Sequence, residues 1–182
     1  MSVRGAWLLL LAGCDLVFPI DSKPPFDAEQ CPAGYTSIAG LASRYHWTSP
    51  NDNQPWTAHE AECEADSAAG GPATHVVVYE DENERLLVTR AVESALNENY
   101  LFTGIYRDTD TQMTWSSILG ETIAIAGDDW APFEPMPQGG PSVVYISFDL
   151  DSAPGDYATD PLTDTANAVC ECDGREVVQR PQ

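Results

Sequence analysis

The chain has 182 residues, enough for one domain with a substantial core and short for two. Its 29 acidic residues against 8 basic ones give a formal net charge of -21. Such a surface repels nucleic acid and anionic lipid, which excludes partners bound through a basic patch.

The N-terminus carries one basic residue, Arg4, then an apolar run with Leu8–Leu11, then Gly13-Cys14. This is the pattern of a secretory signal, and its apolar core is too short to span a bilayer. Leu11-Ala12-Gly13-Cys14 resembles the bacterial lipobox, whose cysteine is acylated as the signal is removed. Residues 1–13 are therefore expected to be a signal peptide. Cys14 is expected to carry the palmitate-bearing anchor of a lipoprotein exported to the bacterial cell envelope, with inner or outer membrane left open. Export permits disulfides, and four cysteines remain, an even number. Residues 14–30 contain Pro19, Pro24 and Pro25 and little periodicity, as a flexible tether does.

The domain is expected over 31–174, opening at Cys31-Pro32-Ala33-Gly34-Tyr35. A first helix is predicted from Trp56 to Ser67, capped from the Asn53 side and ended by Gly70-Gly71. Trp56 and Cys63, seven apart, share a face of it. Thr74 to Tyr79 reads as a strand. A second helix starts at Asp81, with Glu84 placed as in a capping box. Leu87, Val88, Ala91, Val92 and Ala95 give it an apolar face, and it ends near Asn97 to Asn99. Strands follow at Tyr100 to Ile105, at Trp115 and at Val143 to Phe148. Between the last two, Leu119 to Pro141 is a long Gly-, Pro- and Asp-rich loop with Trp130 buried among polar residues. Leu150 to Thr165 reads as an acidic loop, Ala166 to Cys172 as the final strand, and 175–182 as a polar tail. Cys170 and Cys172 are expected to face opposite sides of that strand, so each needs a partner elsewhere, and Cys31 and Cys63 are available. Helices first, strands later and a long irregular segment make an α+β domain, and a loop of that length is often functional.

Taken in order, these landmarks resemble the C-type lectin-like domain. Cys31-Pro32-Ala33-Gly34-Tyr35 resembles its start, Trp56 with Cys63 its first helix, and Thr74-His75-Val76-Val77-Val78 with Glu82-Asn83-Glu84 its next strand and helix. Leu101-Phe102-Thr103-Gly104-Ile105 resembles its Trp-Ile-Gly-Leu strand. Trp115, Trp130 and Glu134-Pro135 resemble its loop region, and Val169-Cys170-Glu171 its last strand. The resemblance implies two helices packed on small antiparallel sheets. It also implies a Cys63–Cys170 disulfide, which leaves Cys31 with Cys172. The family's second disulfide is absent. Its positions fall near Val144 and Leu162, an apolar pair suited to fill that space.

In sugar-binding members, calcium is held by a Glu-Pro-Asn stretch and an Asn-Asp pair. Here Met136 stands in the amide's place, and Ala158 and Thr159 in the pair's. A thioether does not serve calcium, which needs six to eight oxygens. Glu134-Pro135 is read as retained for loop shape, with a cis bond before Pro135 as the family often has. Trp130, Phe133, Glu134 and Pro135 are the candidate ligand loop. Asp149, Asp151, Asp156, Asp160 and Asp164 are the weaker metal candidates, set against a solvated acidic loop. His59-Glu60-Ala61-Glu62-Cys63 lacks the second histidine of a zinc-protease helix. His46 and His75 are isolated, and no activated nucleophile or catalytic residue is evident. The expected function is a lipid-anchored binding module for a protein or envelope glycan, not an enzyme, with no cofactor, calcium at the acidic loop being only a weaker alternative. The rivals are a structural envelope lipoprotein and calcium-dependent carbohydrate binding through that loop.

Overall fold

The structure, a computed structural model, describes residues 26–47, 53–67, 71–93, 100–112, 114–148 and 155–182. Cys14, the expected signal segment and most of the expected tether lie outside them, as do Asp149, Asp151 and the expected end of the second helix near Asn97 to Asn99, whereas the first helix ends at Ala65, two residues short of Ser67.

Two short antiparallel strands, β1 (Thr36–Ser37) and β2 (Arg44–Trp47), open the domain. Neither is legible in the sequence, because so few residues show no alternation. β3 (Gln54–Pro55) leads directly into α1 (Trp56–Ala65). Asn53 does not cap this helix. The preceding residue is Pro55, in extended conformation, which offers no side-chain cap. Pairing of β3 with Thr165 and Ala166 fixes the chain's entry instead. α1 buries Trp56, His59, Glu60 and Cys63 on one face, and Trp56 Nε1 donates to Thr103 O at 2.8 Å.

β4 (Thr74–Val76) precedes α2 (Glu82–Glu93). Asp81 caps α2 as expected, its Oδ1 accepting from Glu84 N at 2.8 Å. Glu84 reaches back one residue further than a capping box does, to the amide of Glu80 at 2.6 Å. Val88 and Val92 face the core.

The rest is strand and loop: β5 (Tyr100–Arg107), β6 (Trp115–Ser117), β7 (Thr122–Ile123), β8 (Ser142–Ser147), β9 (Asp156–Pro161) and β10 (Thr165–Cys172). β10 is the axis. It runs antiparallel to β2, β3 and β4 and parallel to β5, a departure from small antiparallel sheets. β5 is antiparallel to β6 and β8. It is buried on both faces, with Leu101 and Ile105 in one apolar cluster and Phe102 and Tyr106 in the other. Gly104 is where β5 meets its neighbours most closely. A Cβ there would lie 2.6 Å from Val78 Cγ2 and 2.9 Å from Val76 O.

Three expectations are corrected here. The acidic segment before β10 is not all loop, because β9 pairs antiparallel with β8 over six residues. Its acids sit at or near the strand ends, while Tyr157, Ala158 and Thr159 are buried in the middle. Val144 and Leu162 do not fill one space: Val144 pairs with Thr159, and the two belong to different apolar clusters. Cys170 and Cys172 do not face opposite sides, since residues two apart on a strand share a face. They lie in one cluster with Cys31, Cys63 and Val76. The disulfides are Cys31–Cys172 and Cys63–Cys170, with Cα separations of 6.0 and 5.3 Å.

The polar tail is docked, not free. Val178 and Gln179 amides donate to Ile118 O, and Gln179 Nε2 donates to Ser117 O. Arg175 pairs with Asp173 and Arg180 with Glu64.

Candidate functional site

The long loop between β7 and β8 is fastened at both ends. At its start, Ala131 N donates to Tyr157 O and Tyr157 N to Asp129 O, each at 2.8 Å. Arg85 bonds Asp129 at 2.9 Å and lies over the Tyr157 ring. At its end, Asp110 accepts from Gln138 N at 2.9 Å and from the Gly139 amide. The Gln138 amide, though opposed by partial desolvation, holds the Asp110 carboxyl below its ordinary range with the help of Gly139 and Arg107. Arg107 also donates to Met136 O at 3.0 Å and covers the Trp115 ring. None of Asp110, Arg107 and Gln138 stands out in the sequence, because each is a single polar residue whose partner is distant in the chain.

Between these fastenings the chain carries Phe133, Glu134, Pro135 and Met136. Phe133 is 94% exposed and has φ of 72°, the left-handed region that a bulky side chain disfavours. The bond before Pro135 is cis. Met136 is 48% exposed. Trp130, named with Phe133, Glu134 and Pro135 as the candidate ligand loop, does not join them at the exposed tip. It is half-buried, packed on the core beside Trp115 and Tyr157 at 5.4 and 6.1 Å between ring centroids.

The Glu134 carboxylate is turned inward. Its Oε2 accepts from Thr159 Oγ1 at 2.7 Å, from Met136 N at 2.8 Å and from Thr159 N at 3.2 Å. Thr159, which the sequence resemblance sets against the Asn-Asp pair of sugar-binding members, thus donates to the Glu134 carboxylate. Ala158 beside it is buried and brings no ligand atom from its side chain. These residues do not fit calcium, since one already saturated carboxylate oxygen is far from six oxygen ligands.

The acidic candidates divide. Asp156 stands at the start of β9, opposite Ser147. Asp160 and Asp164 line a cleft of about 450 Å³ with Tyr100, Tyr145, Thr163 and Thr165. Burial, then Asp164 and Glu134, push the Asp160 carboxyl up to about 6. The Tyr100 and Tyr145 rings meet edge to face at 4.8 Å in the same wall.

The remaining histidines are structural or paired. His59 Nε2 lies 2.8 Å from Ala166 O within the core, and Cys63 after it is in a disulfide. His46 lies at the surface, 3.6 Å from Asp66. His75, isolated in the sequence, lies within β4, fully buried, 3.1 Å from Asp173.

No protein-family model matches the sequence, and no curated protein does. Solved structures do. A C-type lectin, CEL-I from Cucumaria echinata, superposes with a TM-score of 0.61 at 16% identity, covering 80% of this chain and 99% of that one. The calcium-independent C-type lectin SPL-2 from Saxidomus purpuratus gives 0.62 at 18% identity, covering 82% and 99%. Human lithostathine gives 0.59 at 16% identity, covering 86% and 99%. At such identities the likeness concerns backbone architecture alone, and it extends over nearly all of each neighbour: the chain has the C-type lectin-like fold.

Proposed function

We propose that the chain is an exported, lipid-anchored binding module. Its domain recognises a protein or an envelope glycan through the Phe133–Met136 loop tip, with no calcium held by Glu134, and Cys14 carries the anchor. The observation behind this reading is Phe133. Its side chain contributes almost nothing to the core, and its left-handed backbone costs on the order of 1–2 kcal/mol relative to glycine's freedom there. A residue that is costly in place and exposed on a fastened loop is selected for contact with something else. The calcium-independent lectin among the structural neighbours supports reading the loop without an ion.

The test is a glycan-array and pull-down screen of the chain lacking its signal and anchor, with calcium and with chelator. Phe133→Gly relieves the backbone and removes the ring. It is expected to fold with up to ~1 kcal/mol more stability and to lose ligand at least tenfold, equivalent to about 1.4 kcal/mol. Ligand binding that vanishes in chelator, or that Phe133→Gly leaves intact, contradicts the reading. For the anchor, Cys14→Ser should abolish labelling by a palmitate analogue.

A further inference from the structure

Three side chains outside the loop converge where β10 ends against β4: His75, Glu171 and Asp173. His75 and Glu171 are fully buried and the Asp173 side chain nearly so. One ligand atom from each lies within 4.8 Å of the other two. The rest of each side chain is held in place. His75 Nδ1 lies 2.8 Å from Val76 O. Glu171 Oε2 accepts from Val78 N at 3.3 Å, and Asp173 Oδ2 accepts from Arg175 Nε. The Arg175 amide also donates to Asp173 Oδ1 at 2.7 Å, and such anchoring is what orients metal ligands.

The carbonyl at Nδ1 calls for a proton there, which leaves the lone pair of the neutral ring on Nε2. That nitrogen faces Asp173 Oδ1 at 3.1 Å. Two acceptors so close require a cation between them, either a proton or a metal ion. The Glu171 Oε1 atom discriminates. It is buried and has no hydrogen-bond partner. A proton on Nε2 satisfies Asp173 and leaves that oxygen orphaned, at a real cost in free energy. An ion bound by all three satisfies every atom.

We propose that His75 Nε2, Glu171 Oε1 and Asp173 Oδ1 hold a divalent first-row transition ion of the Zn²⁺ class. One imidazole and two carboxylates suit such ions, and ligands at about 2.0–2.2 Å from a tetrahedral ion stand a little over 3 Å apart. The nearby sulfurs take no part, because Cys170 and Cys172 are in disulfides. Arg175 lies beside the cluster, 3.7 Å from Glu171 and 3.4 Å from Glu80. Its guanidinium is the competing cation, and an ion enters as it turns toward Glu80 and Glu121. The occupied site joins β4 to β10 and to Asp173 just past its end.

The experiment uses the full-length chain stripped with chelator, then titrated with Co²⁺ as a visible-absorption probe and with Zn²⁺ in competition. One saturable equivalent with tetrahedral d–d bands is expected, together with a rise in melting temperature with Zn²⁺. Glu171→Gln and Asp173→Asn should each weaken binding at least tenfold, whereas His46→Ala should not. No one-to-one binding, or binding that depends on His46 and survives Glu171→Gln, overturns the proposal. Should Glu171→Gln fail to fold, Asp173→Asn and the nitrogen shifts of His75 in the wild type decide. A ring that Zn²⁺ leaves protonated on both nitrogens also overturns it.

Discussion

At the scale of single residues, two positions carry the sharpest consequences. Gly104 has no room for a methyl group between Val78 and the Val76 carbonyl. Gly104→Ala should destabilise by about 1–3 kcal/mol, as overpacking does, read from denaturant unfolding at unchanged m-value. Asp160 acts through pH. Its folded-state carboxyl titrates near 6, above the ordinary 3.8. The folded state therefore holds that proton more tightly than the unfolded chain, so this group's stabilising contribution is lost as pH rises from about 4 to 6. Asp160→Asn should flatten the melting temperature across that window. At pH 7 it should gain a few degrees, which is at most ~1 kcal/mol once solvent screening of a half-buried group is discounted. Glycine in a strand signals close approach, so Gly104 is legible in the sequence. The Asp160 shift is not, because the burial that chiefly raises it, and Glu134 beside it, come only with the fold.

Among the elements, β10 has the most to hold. It pairs with four strands, and both of its cysteines are bridged to the N-terminal half. The bridges are nested, with sequence separations of 141 and 107 residues. Breaking either one alone reopens only the ring of roughly 35 residues that the two bonds close between them, a cost of about 3–4 kcal/mol by loop entropy. Breaking both also frees the large loop. The Cys31→Ala/Cys172→Ala variant is thus expected to fold with a lowered melting temperature, and so is Cys63→Ala/Cys170→Ala, whereas the fourfold variant should lose more than twice as much. Equal losses for the double and fourfold variants would contradict the nesting. Both helices were readable from Trp56, Cys63 and the Asp81 cap, since their signals are local. β1, β2 and β9 were not, because a strand of two to six residues is made by its partner. Asp156-Tyr157-Ala158-Thr159-Asp160 looks like loop until β8 lies beside it.

For the molecule as a whole, the net charge of -21 means that calcium will meet carboxylates everywhere, so weak binding by itself says nothing about a site. What distinguishes a site is where the effect resides. The sequence suffices to show that Met136, Ala158 and Thr159 are poor ligands. Only the fold shows that Thr159 and the Met136 amide occupy Glu134 itself. Glu134 is then a structural clasp of the loop, and its removal should be felt equally with and without the ion. Glu134→Gln replaces charge-assisted hydrogen bonds by neutral ones and is expected to cost about 1–2 kcal/mol in either condition. Melting in calcium and in chelator, for wild type, Glu134→Gln and Asp160→Asn/Asp164→Asn, separates the cases. Any calcium shift in the wild type should persist in Glu134→Gln and shrink in the double aspartate variant. A shift that Glu134→Gln alone abolishes would mean that the carboxylate leaves Thr159 to bind the ion, and the loop would then be an ion-dependent sugar site.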